Sequence, residues 1–120
     1  MDRAQRDISI LEHIVKWCDE IAETHKTFGD DVQVFTNNKD YLKSISMSLL
    51  QIGELTNHLS KGFQKNFPQI QYSGIISQRN LIVHGYGMLE TKMLWDTSHN
   101  DITELKRQCN EIINEIKSHI

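Results

Sequence analysis

The chain has 120 residues, 38% hydrophobic and 24% charged, with one proline and two cysteines, and residues 1–120 are expected to form a single compact domain. Thirteen basic and sixteen acidic residues leave a net charge of −3, which excludes nucleic-acid binding driven by bulk charge. Cys18 and Cys109 belong to no C-x-x-C or Cys/His pattern and no apolar run exceeds three residues, so the expectation is a soluble cytoplasmic protein without disulfide framework, zinc site, membrane span or signal peptide.

In chain order, four segments carry the three-four alternation of apolar positions that marks one face of a helix. The first runs through Ile8, Leu11, Val15, Cys18 and Ala22, with Asp2 placed to cap its start and an end expected near Phe28-Gly29. Residues 29–36 read equally well as an ordered loop or a helical turn. The second helix repeats as Leu42, Ile45, Leu49, Ile52, Thr56 and Leu59, after the cap candidates Thr36 and Asn37 and before Gly62. The third lies between Pro68 and Gly85, with Ile75, Ile76, Ile82 and Val83 as apolar positions, and the last runs as Ile102, Leu105, Cys109, Ile112 and Ile116, preceded by a turn containing Leu94 and Trp95. No segment alternates with period two long enough to make a sheet. The reading is all-α, an antiparallel up-and-down four-helix bundle with room for a short fifth helix.

Bundle cores can hold chemistry, and several kinds are excluded at once. A di-iron or di-manganese site needs Glu-x-x-His pairs on facing helices, and none occurs; Asp96 before His99 is the one carboxylate at that spacing. There is no glycine-rich phosphate loop and no serine or cysteine nucleophile motif. No metal and no cofactor are expected.

Charge distribution is more informative than total charge. Residues 1–60 hold 6 basic and 10 acidic side chains, residues 61–120 hold 7 and 6, and no carboxylate occurs between Glu54 and Glu90 although Lys61, Lys65 and Arg79 do. One segment of a mildly acidic chain is thus left open to an anion. On a helical wheel started at Ile75, Arg79 falls at about 40°, between Ile82 at about −20° and Val83 at about 80°. An arginine inside an apolar stripe must be paired, must snorkel, or must face a cleft. His84 follows five residues on, about 140° around an ideal helix and about 7.5 Å along it, before the helix-ending Gly85. An imidazole there suits proton transfer near neutral pH. A partnered core arginine and a histidine cap remain the plainer readings of each residue taken alone.

The run Arg79-Asn80-Leu81-Ile82-Val83-His84-Gly85-Tyr86 resembles the R-x4-6-H motif of the HEPN superfamily, in the R-N-x-x-V-H-x-Y form of the HepT-like toxins. The resemblance extends to Ile52-Gly53-Glu54, Leu59-Ser60, Phe67-Pro68 and Trp95, and so covers nearly the whole chain. Tyr72 departs from it, standing where that family has tryptophan. The resemblance implies a bundle of HEPN type and a metal-independent endoribonuclease toxin of a toxin-antitoxin system. It further implies a homodimer whose two motifs line a shared cleft, and a partner antitoxin of the MNT-type nucleotidyltransferase class. Arg79 and His84 are then catalytic, Asn80 and Tyr86 support RNA binding, and Tyr86 is also the position modified with AMP. The residue chemistry agrees, since metal-free RNA cleavage needs a group to move the 2′-hydroxyl proton and a cation over the phosphate. Glu54 is read as structural, pairing with a cation across the bundle. The alternative is a non-catalytic RNA- or nucleotide-binding module that holds a phosphate with the same two residues; a bare dimerisation module is disfavoured by finding Arg79, His84 and Tyr86 together.

Overall fold

The computed structural model describes residues 2–84 and 91–119. Helix α1 spans Arg3–Phe28 and starts in a capping box, Asp2 accepting from the Gln5 amide while the Gln5 side chain accepts from the Asp2 amide. Gly29 ends it at a φ of 102°, a conformation that glycine adopts without strain. Residues 32–37 are helical rather than looped: in α2 (Val32–Asn37) the Asp31 carboxylate caps the amides of Gln33 and Val34, and the turn sinks Phe35 fully into the core. Thr36 and Asn37 therefore do not cap the next helix. Their side chains bond back to the carbonyls of Val32 and Gln33, and Asn38 caps α3 (Lys39–Asn57) by accepting from the amides of Asp40 and Tyr41.

Leu59 lies beyond the end of α3. A short helix α4 (Lys61–Asn66) follows, capped by Ser60 and anchored by buried Phe63. Its position is fixed from α1, because the buried Asp7 carboxylate accepts from the Ser60 amide at 3.2 Å and from the Ser60 hydroxyl at 2.9 Å. Helix α5 (Tyr72–His84) comes next. The expected turn around Leu94 and Trp95 is a helix, α6 (Thr91–Asp96), which continues through one π-helical turn at Thr97–Asp101 into α7 (Ile102–Ser118). No strand occurs among the described residues, and no helix there is long and apolar enough to cross a membrane. The fold is an all-α bundle, with four long helices and three short ones among the described residues, two more short helices than the pattern suggested.

Side chains from α1, α3 and α7 build most of one core, with Leu11, Ile14, Ile45, Ile52, Cys109 and Ile112 almost completely buried. In contact order the long helices run α5, α3, α1, α7. α5 packs on α3 and stands away from α7, leaving an apolar groove of about 730 Å³ whose walls include Leu49, Ile75, Leu81, Met93 and Leu105. Only Ile82 of α5 is fully buried, and Val83, placed in the apolar stripe by its spacing, is 45% exposed. The stripe is narrower than the wheel implied because α5 has a packed neighbour on one side only.

Candidate active site

Helix α5 meets α3 through its arginine. A Cβ added to Gly53 would lie 2.3 Å from Arg79 Cβ and 2.8 Å from its Cγ, both far inside contact distance. Glycine is thus what lets the stem of Arg79 lie directly against the α3 backbone, and this explains how an arginine occupies an apolar stripe. The stem packs, and the head turns outward along the helix–helix seam.

Glu54, next to that glycine, takes the head. Arg79 Nε and Nη2 both reach Glu54 Oε1, and Nη1 donates to Asn80 Oδ1 at 2.6 Å. Arg79 and Asn80 are therefore joined, and Glu54 finds its cation across the bundle in Arg79 itself. A guanidinium has five N–H donors; one from each nitrogen is engaged, which leaves two for an incoming oxygen. The side chain is 27% exposed, enough for an anion to reach it. An ion pair exposed to this degree is worth about 1 kcal/mol or less to stability, so its main effect is to fix the guanidinium plane.

His84 closes the described part of α5 and is exposed. Five residues of helix place it on a different side of α5 from Arg79, so one chain does not bring the two together on one face. Leu81 and Val83, between them in sequence, are 47% and 45% exposed. Gly85 and Tyr86 lie outside the described residues. Neither Arg79 nor His84 lines the large apolar groove, but Gln78 does, and its side-chain amide donates to Thr97 Oγ1 at 3.1 Å across it. Tyr72, where tryptophan was expected, is half-buried against the core and donates its hydroxyl to the Phe67 carbonyl at 2.6 Å, with burial pushing its pKa up to about 12. The substitution is absorbed because that hydroxyl has a partner.

The model of the family described as Ribonuclease HepT-like matches residues 10–112, which take in Gly53, Glu54, Arg79 and His84. The chain belongs to the HepT-like ribonuclease family. Among relatives, it is 28% identical over 107 residues to a protein of Caldanaerobacter subterraneus named "Putative RNase TTE0752", covering 89% of this chain and 94% of that protein. It is 26% identical over 114 residues to "Putative RNase MJ0125" of Methanocaldococcus jannaschii, covering 94% and 97%. With "Probable ribonuclease HepT" of Thermococcus cleftensis the identity is 27% over 107 residues, covering 88% and 93%. No solved structure matches the chain significantly.

The role of Gly53 was not singled out from sequence, although a glycine inside a strongly periodic helix is itself a signal of close approach. Its contact carries a direct test. Gly53→Ala is expected to lower stability by about 1–3 kcal/mol, the usual cost of overpacking a tight contact, read as a lower midpoint in urea at unchanged slope. A midpoint equal to wild type would mean that α5 does not rest on α3 as described.

Proposed function

We propose that this HepT-like chain is a metal-independent endoribonuclease and the toxin of a toxin-antitoxin pair, with Arg79 and His84 as its catalytic residues. The observation that carries this reading is the guanidinium of Arg79, held in one plane by Glu54 and Asn80 with two donors left over, on the helix that ends in exposed His84. His84 takes the proton from the ribose 2′-hydroxyl, the 2′-oxygen attacks phosphorus, and the bond to the 5′-oxygen breaks. The products are a 2′,3′-cyclic phosphate and a 5′-hydroxyl, the latter receiving its proton from the imidazolium formed in the first step. Arg79 faces the phosphate oxygens, where negative charge accumulates, with a planar fork that fits them better than an ammonium would. Asn80 orients the guanidinium, and Tyr86 lies next to the site in sequence.

Chelator-treated protein should cleave single-stranded RNA. Arg79→Ala and His84→Ala should each lower the rate about 10²-fold or more while leaving the protein folded. Cleavage that requires added magnesium, or that survives His84→Ala, would overturn the mechanism. Phosphate-dependent RNA binding by a wild-type chain that breaks no bond would favour the binding-module reading instead.

The site is read as shared between two copies of the chain. Arg79 and His84 lie on different sides of one α5, and exposed Leu81 and Val83 supply an apolar face between them. Two α5 helices related by a two-fold axis would bring the arginine of one chain toward the histidine of the other. Light scattering is expected to give a dimer at micromolar concentration, and a monomer under those conditions would count against the shared cleft.

Control by a nucleotidyltransferase partner is read at Tyr86. An AMP added there brings a phosphate that would compete with an RNA phosphate for Arg79. After co-expression with the partner, intact mass should rise in increments of AMP that disappear in Tyr86→Phe. Adducts persisting in that variant, on Tyr41 or Tyr72, would remove Tyr86 from the mechanism.

A further inference from the structure

A second constellation lies where the end of α1, the α1–α2 link and the π-helical turn converge. His25 of α1, Asp30 of the link and His99 of the π turn each present one ligand atom, all within 4.8 Å of one another. His25 is 5% exposed, His99 is half-buried and Asp30 is exposed. The cluster opens onto a cavity of about 300 Å³ that also reaches Ala22, Ser98 and Lys106. The Lys106 ammonium is paired with Asp19 at 2.5 Å, so it does not answer the charge of Asp30.

Hydrogen bonding around His99 defines a position for a cation. Its Nδ1 lies 2.9 Å from the Trp95 carbonyl oxygen and its Nε2 lies 2.6 Å from Asp30 Oδ1. Both oxygens only accept, and at 2.6 Å Nε2 meets the carboxylate through a proton; a metal ion in the proton's place, about 2.0–2.2 Å from each ligand atom, requires the exposed Asp30 carboxylate to draw back. A backbone carbonyl that fixes Nδ1–H and aims the other nitrogen at a carboxylate is also the usual support of a metal-bound imidazole. His25 is held differently. The Ser98 hydroxyl donates to the Trp95 carbonyl, so it accepts from His25 Nε2–H, and His25 Nδ1 accepts from the Tyr41 hydroxyl. This imidazole is neutral in that network, as a ligand must be, and with its proton moved to Nδ1 a metal ion would take the place of the Ser98 hydroxyl at Nε2.

We propose that His25, Asp30 and His99 form a binding site for one borderline divalent transition-metal ion of the zinc class, with water from the cavity completing the coordination. Two imidazoles and one carboxylate match the ligand preferences of Zn²⁺, Co²⁺ or Ni²⁺ and offer too few oxygens for Ca²⁺ or Mg²⁺. On binding, His99 releases any Nε2 proton to solvent and His25 exchanges one ring proton for the other, with no oxidation or reduction. The ion is separate from the RNA chemistry, since neither Arg79 nor His84 lines its cavity. It acts as a clamp joining two points 74 residues apart in the chain, where closing a long loop restricts the unfolded chain most. π-helical turns are frequent at functional sites, and this one carries both Ser98 and His99.

Zn²⁺ is the probe, added to chelator-stripped protein and followed by titration calorimetry and thermal melting. The proposal expects one Zn²⁺ per chain and a melting temperature raised by on the order of 10 °C when free Zn²⁺ is about 100-fold above its Kd. Asp30→Asn, on an exposed residue, should melt like wild type in chelator and bind Zn²⁺ at least 10-fold more weakly; His99→Gln should weaken Zn²⁺ binding at least as much. His13→Ala and His58→Ala, on exposed histidines elsewhere, should bind as wild type does. Failure to take up Zn²⁺, affinity unchanged in Asp30→Asn, or binding lost in His13→Ala or His58→Ala would overturn the site. None of these readings depends on RNA cleavage.

Discussion

The close approach of Gly53 to the stem of Arg79 is the contact on which the candidate site rests. A methyl group at position 53 would overlap the arginine side chain, so α3 and α5 lie together only because one helix presents bare backbone at the crossing. Glu54 then follows in sequence at the point where the guanidinium emerges. A requirement of packing and a requirement of charge are thus met by adjacent residues. The resulting ion pair adds little to stability at its exposure, and its effect is better described as removing rotational freedom from the guanidinium, which under the proposed function would meet a phosphate in one orientation.

The bundle divides its labour unevenly. α1, α3 and α7 hold most of the core, whereas α5 buries one residue fully and leaves Leu81 and Val83 largely in solvent. At the other helix junction, α1 and the π turn enclose polar groups rather than expel them. Burial pushes the pKa of His25 down to about 4 and that of Tyr41 up to about 12, so both are neutral at physiological pH and satisfy one another by hydrogen bonding. Phe28, Phe35 and Trp95 pack around that pair, with Phe28 stacked on Tyr41 at 4.9 Å. The polar chain is therefore enclosed by aromatic surface.

Much of this was legible because it is local. Asp2 capped the first helix as read, and Gly29 ended it. The four apolar stripes gave the long helices, since a 3.6-residue period leaves a direct imprint on the sequence. Arg79 stood out because charge inside such a stripe demands an explanation, and Glu54 was read as a partner for a cation before its partner could be named. What failed to show was short or distant. The turns at Val32–Asn37 and Lys61–Asn66 have too few residues to display a period, and each depends on one buried phenylalanine. The caps at Thr36 and Asn37 were misplaced by one or two residues because Asn, Asn and Thr in succession are interchangeable by type. The grouping of His25, Asp30 and His99 has no motif at all, since it is made by tertiary packing and by an extra residue in the helical turn after Asp96.

In the proposed function Arg79 acts as a guanidinium held by Glu54 and not as a positive charge alone. The rate of RNA cleavage by Arg79→Lys tests this most directly, because lysine keeps the charge and most of the stem against Gly53 but loses the planar fork. The expected rate is at least 10-fold below wild type, with an unchanged melting temperature. A rate equal to wild type would contradict it.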